Sequence, residues 1–145
     1  MVYEWLTELN EDESTISSSG IGQLIDTAES MSKGRLWIGK DGGPRPWWHR
    51  LFGTQKRYVA PLFTLEWYSE AAALIFHDEN WSEYRVLKTA ECSYFPADVR
   101  MNITHGEVEA MPESECINKA LAFKAIRESL ENASRPDWLE YKFVE

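Results

Sequence analysis

At 145 residues, with 43% apolar and 13% aromatic side chains, the chain can bury a sizeable core within one domain, which excludes a chain lacking fixed structure. No stretch approaches the roughly 20 apolar residues that span a bilayer, and Met1-Val2-Tyr3-Glu4-Trp5 lacks the basic start and apolar run of a secretion signal, so a cytoplasmic setting with no membrane partner is expected. The net charge of −9 repels nucleic acid and attracts basic proteins.

The stretch near Glu11–Ser19 reads as loose, because it is polar and carries no apolar period. Ile21, Leu24, Ile25, Ala28 and Met31 then recur at helical spacing. Ser18 or Ser19 is the expected cap of that helix, and Gly34 its left-handed terminator. Arg35-Leu36-Trp37-Ile38-Gly39 reads as a short strand. From about residue 40 to 58 an irregular insertion is expected, since Gly42, Gly43, Pro44, Pro46 and Gly53 interrupt regular structure. That insertion carries Trp47 and Trp48, whose rings must pack on their own domain or on a partner.

The centre reads as an antiparallel meander. Phe63, Leu65 and Trp67 alternate with polar residues, a turn at Ser69-Glu70 leads to Ala73–Phe76, and Asp78–Ser82 turns the chain into Tyr84–Lys88. Ser93–Phe95 and Met101–Glu109 supply further strand candidates. A second helix is expected over about Glu113–Glu131, opened by Pro112 and closed at Asn132. Its apolar stripe is Cys116, Ala120, Phe123 and Leu130, with Ile126 at the margin. Trp138–Val144 closes the chain as a strand with Leu139, Tyr141 and Phe143 on one face. Few helices among many strands indicate an α+β domain spanning residues 1–145. Its sheet is mainly antiparallel, of about five to seven strands, with two principal helices packed against it.

Cys92 and Cys116 read as reduced core residues rather than a disulfide or metal site. The chemistry-bearing motifs are sparse: there is no nucleophile elbow, phosphate loop, dinucleotide fingerprint or paired Cys-x-x-Cys. No catalytic residue, metal ligand or cofactor is therefore assigned. His105, Glu107 and Glu109 alternate along a strand candidate and would be the start of a metal-dependent hydrolase, but a fourth ligand is not nominated. Residues 33–58 are a second alternative. Seven bases stand there against Asp41, interleaved with aromatic rings, a pattern suited to single-stranded nucleic acid. Residues 1–32, by contrast, hold seven acids and no base, and the acidic remainder of the chain opposes a polyanion.

A third pattern lies near the C-terminus. Ala120-Leu121 and Lys124-Ala125-x-x-Glu128-x-Leu130 precede Arg135-Pro136-Asp137-Trp138-Leu139-Glu140-Tyr141. This resembles the C-terminal signature of the first-described immunity protein family of bacterial polymorphic toxin systems, in which an alanine-rich helix precedes a Pro-x-x-aliphatic-x-aromatic strand. The likeness covers about Ala120–Tyr141; the insertion at residues 40–57, and Tyr141 where the family usually has tryptophan, depart from it. The resemblance implies a cytoplasmic, non-enzymatic inhibitor that occludes a cognate toxin domain, commonly a nucleic-acid-targeting deaminase or nuclease. Asp78, Glu79, Trp81 and Glu83 in the hairpin turn, with Glu107 and Glu109, are the expected contacts, and Trp47 and Trp48 are rival anchors.

Overall fold

The computed structural model describes residues 4–44, 57–87, 100–102, 107–109 and 115–145. The chain opens as a hairpin, β1 (Glu4–Leu9) and β2 (Asp12–Ser17). Asn10 and Glu11 join them, both at positive φ (50° and 74°). This is the mirror-image turn whose twist matches paired strands. Asn10 is pinned to the next strand: its Oδ1 accepts from the Arg35 amide at 2.8 Å, and its own amide donates to the Arg35 carbonyl at 2.9 Å. The expectation of a loose segment is thus corrected to an edge strand. Residues 12–15 are exposed and need no apolar alternation, and their acids discourage edge-to-edge pairing.

Helix α1 (Ile21–Glu29) buries Ile21, Ile25 and Ala28, as its period requires. Its ends differ from expectation. Gly20 is the N-cap, with no side-chain capping bond, while the Ser17 and Ser19 hydroxyls bond to each other at 3.0 Å. Ser30, right-handed, closes the C-terminus. The carbonyls there are taken from a distance: Lys119 Nζ donates to Glu29 O and Met31 O, each at 2.8 Å, and Trp67 Nε1 donates to Met31 O at 2.9 Å.

Gly34 lies instead inside β3 (Lys33–Pro44), opposite Trp67 of β4 (Arg57–Tyr68). A Cβ at Gly34 would sit 2.7 Å from Trp67 Cη2, so the close approach of the indole, not a helix cap, requires glycine here. β3 also runs through Gly42 and Gly43 to Pro44 and absorbs the irregularity as a register shift between Asp41 and Pro44. Residues 40–44 and 57–58 are therefore strand, not insertion. Residues 45–56, with Trp47 and Trp48, lie outside the described residues.

β4 turns at Ser69-Glu70 into β5 (Ala71–His77), and Asp78–Ser82 leads into β6 (Glu83–Val86). β7 (Arg100–Asn102) and β8 (Glu107–Glu109) pair as a separate two-stranded sheet in contact with β4. His105 and Ser93–Phe95 lie outside the described residues, as do the side chains of Glu107 and Glu109.

The chain then returns extended as β9 (Ile117–Asn118) against β5. Helix α2 starts only at Lys119 and runs to Asn132, correcting the expected start near Glu113. Pairing with the sheet delays it until Asn118, whose Oδ1 caps the Ala120 amide at 2.8 Å. The buried stripe is Ala122, Phe123, Ala125, Ile126, Ser129 and Leu130; Cys116 precedes the helix and Ala120 faces outward. Ala133, left-handed at φ 53°, ends α2 just after Asn132.

β10 (Tyr141–Val144) is shorter than expected. Leu139 is buried before it begins, Tyr141 is half-buried, and Phe143 is exposed on an edge strand.

The main sheet has the order β10-β6-β5-β4-β3-β1-β2, with β9 beside β5, and every pairing is antiparallel. This is the α+β architecture expected. One face packs Trp5, Leu36, Ile38, Phe63, Leu65, Trp67, Leu74 and Phe76 into a single core with the two helices. Arg127 of α2 ties the helices together through Asp26 and Glu29 of α1, both at 2.8 Å. No helix among the described residues is long and apolar enough to cross a membrane.

Gly34→Ala forces the Trp67 indole from its place. It should destabilise the protein by about 1–3 kcal/mol, the usual cost of overpacking, read as a lowered urea midpoint with an unchanged slope.

Candidate partner-binding surface

The Asp78–Ser82 turn positions the most informative side chains. Asp78 Oδ1 accepts from the amides of Asn80 (2.9 Å) and Ser82 (3.0 Å), and the Asp78 carbonyl accepts from the Trp81 amide at 3.0 Å. One carboxylate thus organises the whole turn, as short acidic side chains do where backbone amides converge. The turn holds Trp81 at φ 63°, in the left-handed region that a bulky residue seldom adopts.

From there the Trp81 indole folds onto the sheet face opposite the helices. It lies parallel to Trp37, with ring centroids 5.9 Å apart and planes 3° apart, and 5.8 Å from the His77 ring. Trp81 nevertheless remains 51% exposed. Trp37 in turn lies along β3 over Gly39, where a Cβ would meet its ring at 2.7 Å. A cavity of about 280 Å³ opens beside the pair, lined by Glu8, Glu11, Arg35, Trp37 and Trp81.

Most other charges on this face are matched. Arg35 pairs with Glu66, its cross-strand neighbour, at 3.4 Å. Arg85 binds Glu83 at 2.8 Å and the buried Glu115 at 3.2 Å. The bonds to Glu83 lead over burial in lifting the Arg85 guanidinium above its ordinary value. His77 Nε2 bonds to Thr64 Oγ1 at 2.9 Å. Burial pushes His77 below the ordinary 6.5, against the opposing pull of Glu83, Ser82 and Asp78, so the ring is neutral near pH 7.

On the other side of the turn lies a cleft of about 800 Å³. Asp78, Glu79 and Asn80 form one wall, Ala133–Asp137 with Leu139 and Tyr141 the other, and Lys40 and Ala60–Leu62 lie along the floor. The motif Arg135-Pro136-Asp137-Trp138-Leu139-Glu140-Tyr141 builds the second wall. Pro136 and Leu139 are buried, the Tyr141 hydroxyl donates to the Pro136 carbonyl, and the Arg135 guanidinium lies 3.7 Å from the centre of the Tyr84 ring. Burial, with Asp137 and Glu128 nearby, pushes the Tyr141 phenol up to about 12 despite Arg135, which keeps it a proton donor. Trp138 faces outward, bonded to Glu128 at 2.8 Å and covered by Lys124 at 5.2 Å.

The expected contact residues are therefore divided. Asp78 and Glu79 line the larger cleft, and Trp81 stands on the opposite side of the same turn. Glu83 is engaged by Arg85. Glu107 and Glu109 belong to the separate small sheet. Trp37, Glu8 and Glu11 were not among the expected contacts. Trp37 did carry a signal: it alternates with the core residues Leu36 and Ile38, so it must face away from the helices. Of the bases in residues 33–57, Arg35 is held by Glu66 and Lys40 borders the cleft. Among the described residues no three His, Cys, Asp or Glu side chains gather closely enough to hold a metal.

No protein-family model matches the chain, and no curated protein is significantly similar to it.

Asp78→Ala should cost about 1–3 kcal/mol, because two turn amides lose an ionised acceptor, whereas Asp78→Asn keeps the oxygen and should cost less; thermal unfolding of both variants measures the difference. His77 gives a pH signature. Its folded value is depressed, so the unfolded chain binds the proton more readily and stability falls as the pH drops below 6.5. His77→Gln should flatten that loss when urea midpoints are compared at about pH 7.5 and about pH 5.

Proposed function

We propose that the chain is an immunity protein that binds a cognate bacterial toxin domain and neutralises it by occluding its active site or substrate groove. It acts by stoichiometric binding in the cytoplasm, not by turnover. The observation that carries this reading is Trp81: half exposed, yet fixed by its stack on Trp37 and by the Asp78 turn. Interface energy concentrates in a few aromatic and arginine anchors, and an anchor already held in place loses little rotamer freedom on binding. Left-handed backbone at such a residue costs on the order of 1–2 kcal/mol. Conformations of this kind cluster where a site needs a side chain aimed in one direction.

The surrounding charge supports the same reading. Glu8 and Glu11 line the cavity beside Trp81, Asp78 and Glu79 line the cleft on the other side of the same turn, and the chain carries −9 overall. Toxin domains that grip nucleic acid need cationic surfaces, and complementary charge accelerates encounter with them. The resemblance of Ala120–Tyr141 to the immunity family supplies the biological context, and the motif's residues build the cleft wall beside that turn.

Co-expression with the product of a neighbouring toxin gene checks the proposal. The chain should co-purify with the toxin domain and restore growth. Trp81→Ala should weaken the complex at least tenfold while retaining a cooperative unfolding transition. A chain that neither captures the toxin nor protects the cell would remove this reading.

A further inference from the structure

We propose that the cavity between Glu8, Glu11, Trp37 and Trp81 is a receptor for a single arginine side chain on the partner's surface. The partner's being a protein rests on the function proposed above; the ligand chemistry rests on the cavity itself.

The wall is aromatic and flat. With planes 3° apart and centroids at 5.9 Å, Trp37 and Trp81 stack in parallel, and Trp81 keeps half its surface open. Such faces attract cations, tryptophan most strongly. The rim is acidic. Glu8 is the cross-strand partner of Trp37 and shares its face, while Glu11 stands at the tip of the β1–β2 turn. Arg35 shares the cavity, but its guanidinium is already bound to Glu66. Neither Glu8 nor Glu11 forms an ion pair with another described residue. The cavity is therefore a slot walled by two indoles and bordered by two carboxylates, with the Glu66-paired Arg35 as the cation in its lining.

The backbone points the same way. Glu11 occupies the second position of a mirror-image turn that favours glycine, and Trp81 also stands at positive φ. Both residues line the cavity, and both are held where a side chain is disfavoured. A planar guanidinium suits this arrangement better than an ammonium, because it stacks on indole while offering paired donors to carboxylates. Nucleic acid is the poorer occupant: a base would stack on the same wall, but its phosphates would meet Glu8 and Glu11.

The test uses the full chain and the blocked tripeptide acetyl-Gly-Arg-Gly-amide, followed by tryptophan fluorescence and by NMR of the indole protons. Binding should be saturable with a dissociation constant on the order of millimolar, several-fold tighter than the lysine peptide and absent for the citrulline peptide. Glu8→Gln with Glu11→Gln should weaken it about tenfold, and Trp81→Ala should abolish it. Glu11→Gly separates fold from site. It should raise the Tm by about 2–4 °C by relieving the turn, yet still weaken arginine binding.

A citrulline or nucleoside probe that binds as tightly as arginine would overturn the proposal. So would an absence of saturation, or indifference to the two Glu→Gln changes. Toxin capture measured on the same variants distinguishes the two ideas. Arginine binding without toxin capture leaves the receptor standing and sinks the immunity reading; toxin capture without arginine binding does the reverse.

Discussion

The Trp67 indole is the junction on which the rest of the molecule is assembled. Its ring lies on the bare backbone of Gly34, meets Phe123 of α2 edge-on at 5.3 Å, and donates its N–H to the Met31 carbonyl beyond α1. Strands β3 and β4, α2 and the segment that follows α1 therefore meet at one side chain. Lys119 completes the junction by donating to the Glu29 carbonyl at the helix end and by adding a second donor to the Met31 carbonyl. A large ring with one polar atom suits such a place, because it fills volume and closes a hydrogen bond together.

The opposite face of the sheet follows a different logic. Its charges include the cross-strand pair Arg35–Glu66 and a short network around Arg85, which adds modestly to stability and limits promiscuous association. Against that matched background Trp81 stands out, since it is costly in backbone terms and leaves half its surface in solvent. The Asp78 carboxylate, two amides and the Trp37 stack together outweigh the strain. A turn optimised only for stability would place glycine at the left-handed position; a tryptophan there is consistent with selection for what the side chain reaches.

Some of the candidate surface was legible beforehand because turns declare themselves. Asp78-Glu79-Asn80-Trp81-Ser82 between two apolar runs could only be a polar connection carrying an exposed ring. The acids Glu8 and Glu11 were not legible as part of it, since they reach the cavity through β1–β3 register and through a hairpin hidden in a polar stretch. Register is a pairing property, and no local pattern specifies it where one strand is solvated on both sides.

What the amino-acid order determined by itself was periodicity: the α1 stripe Ile21, Ile25 and Ala28, the alternation Phe63, Leu65 and Trp67, and hence helices packed on an antiparallel sheet. These depend on side-chain spacing within one element, which needs no neighbour to define it. Tertiary structure alone decided where helices begin and end and what certain residues are for. Asn118, not Pro112, opens α2 because β9 first pairs with β5, and Gly34 serves the Trp67 ring instead of a helix terminus. In both places a partner remote along the chain outweighs the local preference, because pairing and close packing act on backbone groups that propensity treats as solvated.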